Sequence, residues 1–283
     1  MSALPSTLAV PRPVLRYHGG KFSLAPWIAS HFPTHRTYTE AYCGGASVLL
    51  RKPRSYAEVI NDIDSEIVNL FRVLRNPAQA REMVRLVTLT PYAREEFEAS
   101  YITADDPIEQ ARRTLFRSAA GHSTVGASGR WRTGFRCNVS RSSTTPAQDW
   151  ANLPQVLDAV VARLRGVVVE NMSALDVLRK YDGPTTLHYV DPPYLVETRH
   201  ERWAGAAYRY EMSVADHQAL AETLHELQGT VVLSGYPHPL YDEWYAGWQR
   251  YTHQAHSDRA SDRVEVLWVK STATVQPSLL EVR

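Results

Sequence analysis

The chain has 283 residues, enough for one large α/β domain carrying an insertion or for two small domains. Apolar residues make up 44% and charged ones 22%, proportions suited to burying a full core, and no apolar run nears the roughly 18 residues of a membrane span. With a formal net charge of +1, any contact with nucleic acid must come from a local basic face and not from the total.

The opening stretch, 1–14, lacks a charged start and is broken by Pro5, Pro11 and Pro13, which reads as a loose lead and not as a signal peptide. Tyr17-His18-Gly19-Gly20-Lys21 follows, then a helical pattern through Trp27, Ile28 and Phe32 that stops at Pro33. Two glycines before a helix allow close backbone approach to a ligand, and Lys21 offers a positive charge. From Tyr38 to Ser47 a short strand passes through the small-residue loop Cys43-Gly44-Gly45-Ala46 into a helix at 48–51. Strand, glycine turn and helix is the ligand-cradling start of a Rossmann-like unit. It lacks Gly-x-Gly-x-x-Gly, so a pyrophosphate-bearing dinucleotide is a poor match. A second strand, 56–60, runs into Asn61-Asp62-Ile63-Asp64. An acid at the tip of this strand is placed to grip ribose hydroxyls, which makes Asp62 the ribose candidate. Its other reading, N-cap of a helix over 65–74, is filled better by Asp64.

Between about 75 and 165 the strand–helix alternation lapses. Thr90-Pro91 and Asp106-Pro107 each read as an N-cap followed by proline at the first helical position, and the second of these helices ends at Gly121. Residues 110–148 hold Arg112, Arg113, Arg117, Arg130, Arg132, Arg136 and Arg141 and no acid at all. Gly126, Gly129 and Gly134 with Trp131 and Phe135 suggest a hairpin or loop that carries arginines and rings. Such a segment suits phosphate contacts, base-edge hydrogen bonds and stacking; the alternative is a solvated basic face. By spacing, Arg112, Arg113 and Arg117 are expected on a helix facing phosphates, and Arg130, Arg132 and Arg136, with Asn138, near base edges.

Alternation resumes with a strand at 167–170. Ser173-x-x-Asp176 and Ser213-x-x-Asp216 read as capping boxes, the latter opening a helix through Leu227 with Gly229 closing it. Between them, a buried strand delivers Asp191-Pro192-Pro193-Tyr194. Two prolines after a strand cannot extend the ladder and set a rigid turn, at the carboxyl end where open α/β sheets build their sites. Asp191 supplies a charged acceptor, the Pro192 carbonyl a neutral one, and Tyr194 a flat ring. A strand that simply ends in a proline-rich turn is the bland alternative. His188, inside the strand, reads as structural. Arg199, His200, Arg202 and Arg209 follow in an irregular polar stretch, then a strand at 230–234, a further strand near 248–253 and a last one at 264–269.

In this order the stretches resemble the D12-class DNA adenine N6-methyltransferases, the Dam-like family and its phage branch: Tyr17-x-Gly19-Gly20-Lys21, Glu40-x-Tyr42-x-Gly44, the acid Asp62, and Asp191-Pro192-Pro193-Tyr194. Tyr210-Glu211-Met212, Ser234-Gly235-Tyr236 and Glu265-Val266-Leu267-Trp268 match the phage branch. Tyr42 stands where the family prefers Phe, and Ala46 where it often has Gly. The resemblance implies a Rossmann-like S-adenosyl-L-methionine-dependent methyltransferase fold with a mostly parallel sheet and an inserted, mainly helical target-recognition domain. The catalytic part would be 15–75 and 166–283, the insertion 76–165. It implies methyl transfer to N6 of an adenine flipped out of double-stranded DNA, without a metal. Tyr17, Lys21 and Gly44 would contact the cofactor, Asp62 its ribose, and Asp191 both cofactor and target, with Pro192 and Tyr194 completing the catalytic turn. A monomer in a bacterial or phage-infected cytoplasm is expected, with a cognate restriction endonuclease as a partner the resemblance allows. An RNA adenine or DNA cytosine-N4 methyltransferase keeps the same chemistry; Asp in place of Ser at the head of the turn favours adenine. A non-catalytic DNA-binding protein on the same scaffold would be expected to have lost Asp191, Asp62 or Lys21, and all are present.

Overall fold

The computed structural model describes residues 10–122, 131–140, 144–199, 208–255 and 263–270. Arg130, Arg141, His200, Arg202, Gly126, Gly129 and the first nine residues of the lead lie outside them.

Seven strands form one sheet: β1 (Thr37–Glu40), β2 (Ala57–Asn61), β3 (Val167–Glu170), β4 (Thr186–Val190), β5 (Thr230–Gly235), β6 (Gln249–Ala255) and β7 (Arg263–Lys270), in the order β3-β2-β1-β4-β5-β7-β6. The first five strands in chain order are parallel, and β7 runs antiparallel between β5 and β6. Every residue of β4 is buried, and so are all of β5 but its first. Such continuous burial marks a sheet covered on both faces. Alternation divides the faces: Val232, Leu267 and Val269 pack with α2 (Ser47–Arg51) and α3 (Ser65–Arg75), while Val231, Leu233, Val266 and Trp268 pack with the helices Ala174–Lys180 and Val214–Glu226.

The register places the site. Glu40 at the end of β1 pairs with Ile60 of β2 and Tyr189 of β4, so the turns after β1, β2 and β4 leave the sheet at one edge. The chain moves outward to β2 on one side of β1, and β4 and β5 lie on the other. The crevice at that reversal is where α/β sheets bind ligands.

The inserted segment is helical: Pro77–Leu89, Arg94–Ala99, Pro107–Ala120, Pro146–Ala151 and Leu153–Leu164. Asp106 caps the third of these by accepting from Ile108 N, with Pro107 at the first position and Gly121 after the last, as its sequence pattern predicts. Thr90 corrects the same reading. A helix does follow, Arg94–Ala99, but with Ala93 and no side-chain cap before it; Thr90 instead ends the preceding helix, which Asn76 opens ahead of Pro77, and donates its hydroxyl to Leu86 O at 2.7 Å. Pro91 drives the preceding residue out of the helical region, so the same dipeptide pattern stops a helix here. Ser173 is a second correction: it precedes its helix without a side-chain cap, whereas Ser213 and Asp216 form the reciprocal box. The apolar faces of the insertion share one core with the sheet, with Leu115 and Phe116 in the same cluster as Ile60 and Leu187.

Candidate active site

The loop after β1 is shaped by Gly44. Its φ of +46° is one that side chains rarely adopt, and a Cβ there would lie 2.7 Å from the Tyr17 ring. Gly44 N donates to Asp62 Oδ2 at 2.8 Å, and Asp64 N donates to Oδ1 at 2.9 Å. Each carboxylate oxygen retains a lone pair, so Asp62 both ties the glycine loop to the β2 turn and keeps acceptor capacity. Burial pushes its pKa up to about 6, although the backbone donors Asp64 N and Gly44 N oppose the rise. Asp64 caps α3, as expected, and Arg209 pairs with it at 3.1 Å and with Glu66 at 3.0 Å.

Across the crevice, Lys21 Nζ lies 3.1 Å from Asp191 Oδ1 and donates to Gly19 O at 2.8 Å. Burial works against the lysine charge, but Asp191 and Glu265 outweigh it and hold the ammonium above its ordinary pKa. Burial likewise lifts the Asp191 carboxyl above the usual carboxylate value, with Lys21 restraining it. Tyr194 is not a surface ring. It is 7% exposed, its hydroxyl donates to Glu265 Oε2 at 3.0 Å, and the Lys21 ammonium lies 4.7 Å from its centroid. His188 is fully buried between Thr39 Oγ1 at 2.8 Å and Asp182 Oδ1 at 3.2 Å, a structural tie within the sheet.

Tyr17, Lys21, Gly44, Asp62 and Asp191 line one cavity of about 350 Å³, whose wall includes Pro193 but not Pro192, Tyr194 or His188, within the size range of small-molecule sites. Among the described residues no group of His, Cys, Asp or Glu is arranged to hold a metal ion, and no helix is long and apolar enough to cross a membrane. Three lining residues carry no role in the sequence reading, although Glu40 heads the Glu40-x-Tyr42-x-Gly44 motif. Glu40 accepts from Tyr38 Oη and Leu49 N, both at 3.0 Å, and burial pushes its pKa up to about 8; an acid ending a buried strand was the available signal. Tyr208 and Arg209 wall the cavity from the far side of the chain.

The arginines of the insertion separate sharply. Arg112 is buried, paired with both Glu109 oxygens at 2.7 Å and with Glu96 at 2.8 Å. Arg113 bonds Glu109 at 2.7 Å and Ile102 O at 2.8 Å. Arg117 is buried against Glu66 and donates to Ser100 O at 2.9 Å. These three hold helices together and do not present their guanidinium groups to a phosphate. Arg136 pairs with Asp149 at 3.1 Å. Arg132 is exposed, its guanidinium 5.0 Å from the Tyr101 ring, beside an exposed Trp131 and an exposed Asn138. Of the described arginines within 110–148, Arg132 alone is exposed.

The sequence model of the D12 class N6 adenine-specific DNA methyltransferases matches residues 17–258. A type II methyltransferase of Lactococcus lactis subsp. cremoris is 25% identical over 259 residues, covering 83% of this chain and 84% of its own length. A DNA adenine methylase of Escherichia coli K12 is 23% identical over 246 residues, with the same coverage of both chains.

Proposed function

The chain belongs to the D12 class N6 adenine-specific DNA methyltransferases, and on that premise we propose how its crevice methylates N6 of an adenine flipped out of double-stranded DNA. The observation that carries the reading is the buried Lys21–Asp191 pair at the crevice between β1 and β4, with two prolines fixing the turn behind it. An adenine inside the duplex cannot reach such a position, so the base must leave the stack. Its amino nitrogen is a poor nucleophile because the lone pair is delocalised into the ring. Asp191 and the Pro192 carbonyl each accept one N6–H hydrogen bond and turn the lone pair outward. Positive charge then develops beside a carboxylate already set in place, which is electrostatic stabilisation without reorganisation. Burial raises the proton affinity of Asp191, which suits it to take the proton N6 must shed. Tyr194 supplies a ring for the base to stack on.

Membership in a methyltransferase family implies S-adenosyl-L-methionine as donor, and the residues fit it. Gly44 lets the Tyr17 ring close against the loop as a cavity wall, Asp62 offers acceptors for two ribose hydroxyls, and Lys21 with Asp191 offers both signs of charge to an amino-acid end. When bound, it supplies a methyl group on a sulfonium, an electrophile that needs no metal. Tyr17 closes the loop side of the cradle. We infer 15–75 with 166–283 to be the catalytic part and 76–165 the recognition part, with Trp131, Arg132 and Asn138 turned to DNA and Arg136 beside them. Action as a monomer in the cytoplasm, alone or beside a cognate endonuclease, completes the reading. Mass spectrometry of nucleosides from DNA incubated with the protein and labelled donor tests it: N6-methyladenine is expected, and N4-methylcytosine or no methylated base overturns it.

A further inference from the structure

Glu265 lies on β7, 71 residues from Tyr194, buried between Val264 and Val266 in its own strand and opposite His253 of β6. A carboxylate is placed in such surroundings only with partners, because an unpaired one is expensive. Its partner is the Tyr194 hydroxyl, which donates to Oε2 at 3.0 Å. The tyrosine has one hydroxyl proton to give, so this bond fixes the outer end of the ring, while the rigid Pro192-Pro193 turn fixes its base. The Tyr236 ring, from the turn after β5, meets it edge-on at 4.6 Å. The Lys21 ammonium over the ring at 4.7 Å and beside Asp191 at 3.1 Å completes the arrangement. Glu265 thus reaches the catalytic turn from behind, through Tyr194, and its charge also favours the ammonium of Lys21.

Resting on the activity proposed above, we propose that Glu265 is a positioning residue for methyl transfer: its carboxylate holds Tyr194, and through the ring Lys21 and Asp191, in the arrangement that receives the adenine. It touches neither substrate nor cofactor. Its effect should fall on the chemical step and spare the binding of either ligand.

The test is single-turnover methylation by E265A, E265Q, Y194F and the double variant Y194F/E265A, with cofactor and DNA affinities measured in parallel. E265A and Y194F should each slow the step by about tenfold, the scale of a slightly misplaced reacting group, with both affinities within about twofold of wild type. E265Q keeps an acceptor for the hydroxyl and should stay within about threefold. The double variant should be no slower than the slower single one, because both changes delete the same bond. A wild-type rate in Y194F or E265A, an E265Q as slow as E265A, or additive losses overturns the role. If E265A does not fold, Y194F and E265Q decide by the same criteria. Unaffected variants beside a wild type that makes N6-methyladenine overturn the Glu265 role alone; a wild type that makes none overturns the activity and the role together.

Discussion

Two regions of this chain use buried charge in opposite ways. In the crevice, Lys21 and Asp191 are paired, Asp62 is held by backbone N–H groups, and all three still line an open cavity. In the insertion, Arg112 and Arg117 are paired and closed off, with Glu96, Glu109 and Glu66 as counter-ions. None of those acids lies within 110–148, which is why that stretch reads as a basic face in sequence although four of its five described arginines are ion-paired. A motif at a strand end keeps its meaning because the strand itself aims it; a charge run does not, because its partners come from elsewhere.

The largest effect that would break this contrast is on stability. Arg117→Ala removes the buried partner of Glu66 and should destabilise the fold by about 3 kcal/mol, the low end for a broken buried pair since Glu66 keeps Arg209. Denaturant unfolding measures it, and an unchanged midpoint would return Arg117 to the DNA-facing set. Next comes Asp191→Ala, which should lower the methylation rate by about 100-fold or more with DNA binding kept; near-normal turnover removes Asp191 from the mechanism.

Arg132→Ala should leave thermal unfolding unchanged. As a base-edge contact it should cost roughly 1–3 kcal/mol at one base pair. If it meets a phosphate instead, it should weaken all sequences and flatten the salt dependence by about one unit of slope. Methylation of randomised sites at several salt concentrations separates the two, and no effect in either would make the exposed segment a solvated surface.

The smallest effect belongs to Asp62. Asp62→Ala should weaken cofactor binding by about tenfold, the loss of one or two hydrogen bonds to a charged acceptor; unchanged affinity in calorimetry excludes the ribose contact. Burial sets its folded pKa to about 6 against an ordinary 3.8. Its contribution to folding is therefore fully present below 3.8 and lost as pH rises through about 6. Cofactor affinity should run the other way, rising with pH through about 6 as the acceptor form is populated, and Asp62→Asn should abolish that dependence.

The resemblance implied the parallel sheet; the residues alone were enough for the buried strands, for the turns at Gly44, Asp62 and Asp191 that follow them, and for the helix caps Asp64 and Asp106. Each of these rests on short-range physics: apolar runs that must be buried on both faces, prolines that end a strand, a glycine turn, an acid one step past a strand. Where local signals were ambiguous, neighbours decided. Thr90-Pro91 ends a helix because Asn76-Pro77 had already begun one, and Ser173 makes no cap although Ser213, with the same spacing, does. Tertiary structure alone decided which arginines face solvent, that Tyr194 is held by Glu265 from another strand, and that Glu40 and Arg209 line the cavity. Side-chain pairing of this kind joins residues far apart in the chain, and its energy depends on burial and distance, quantities that exist only once the sheet has closed around them.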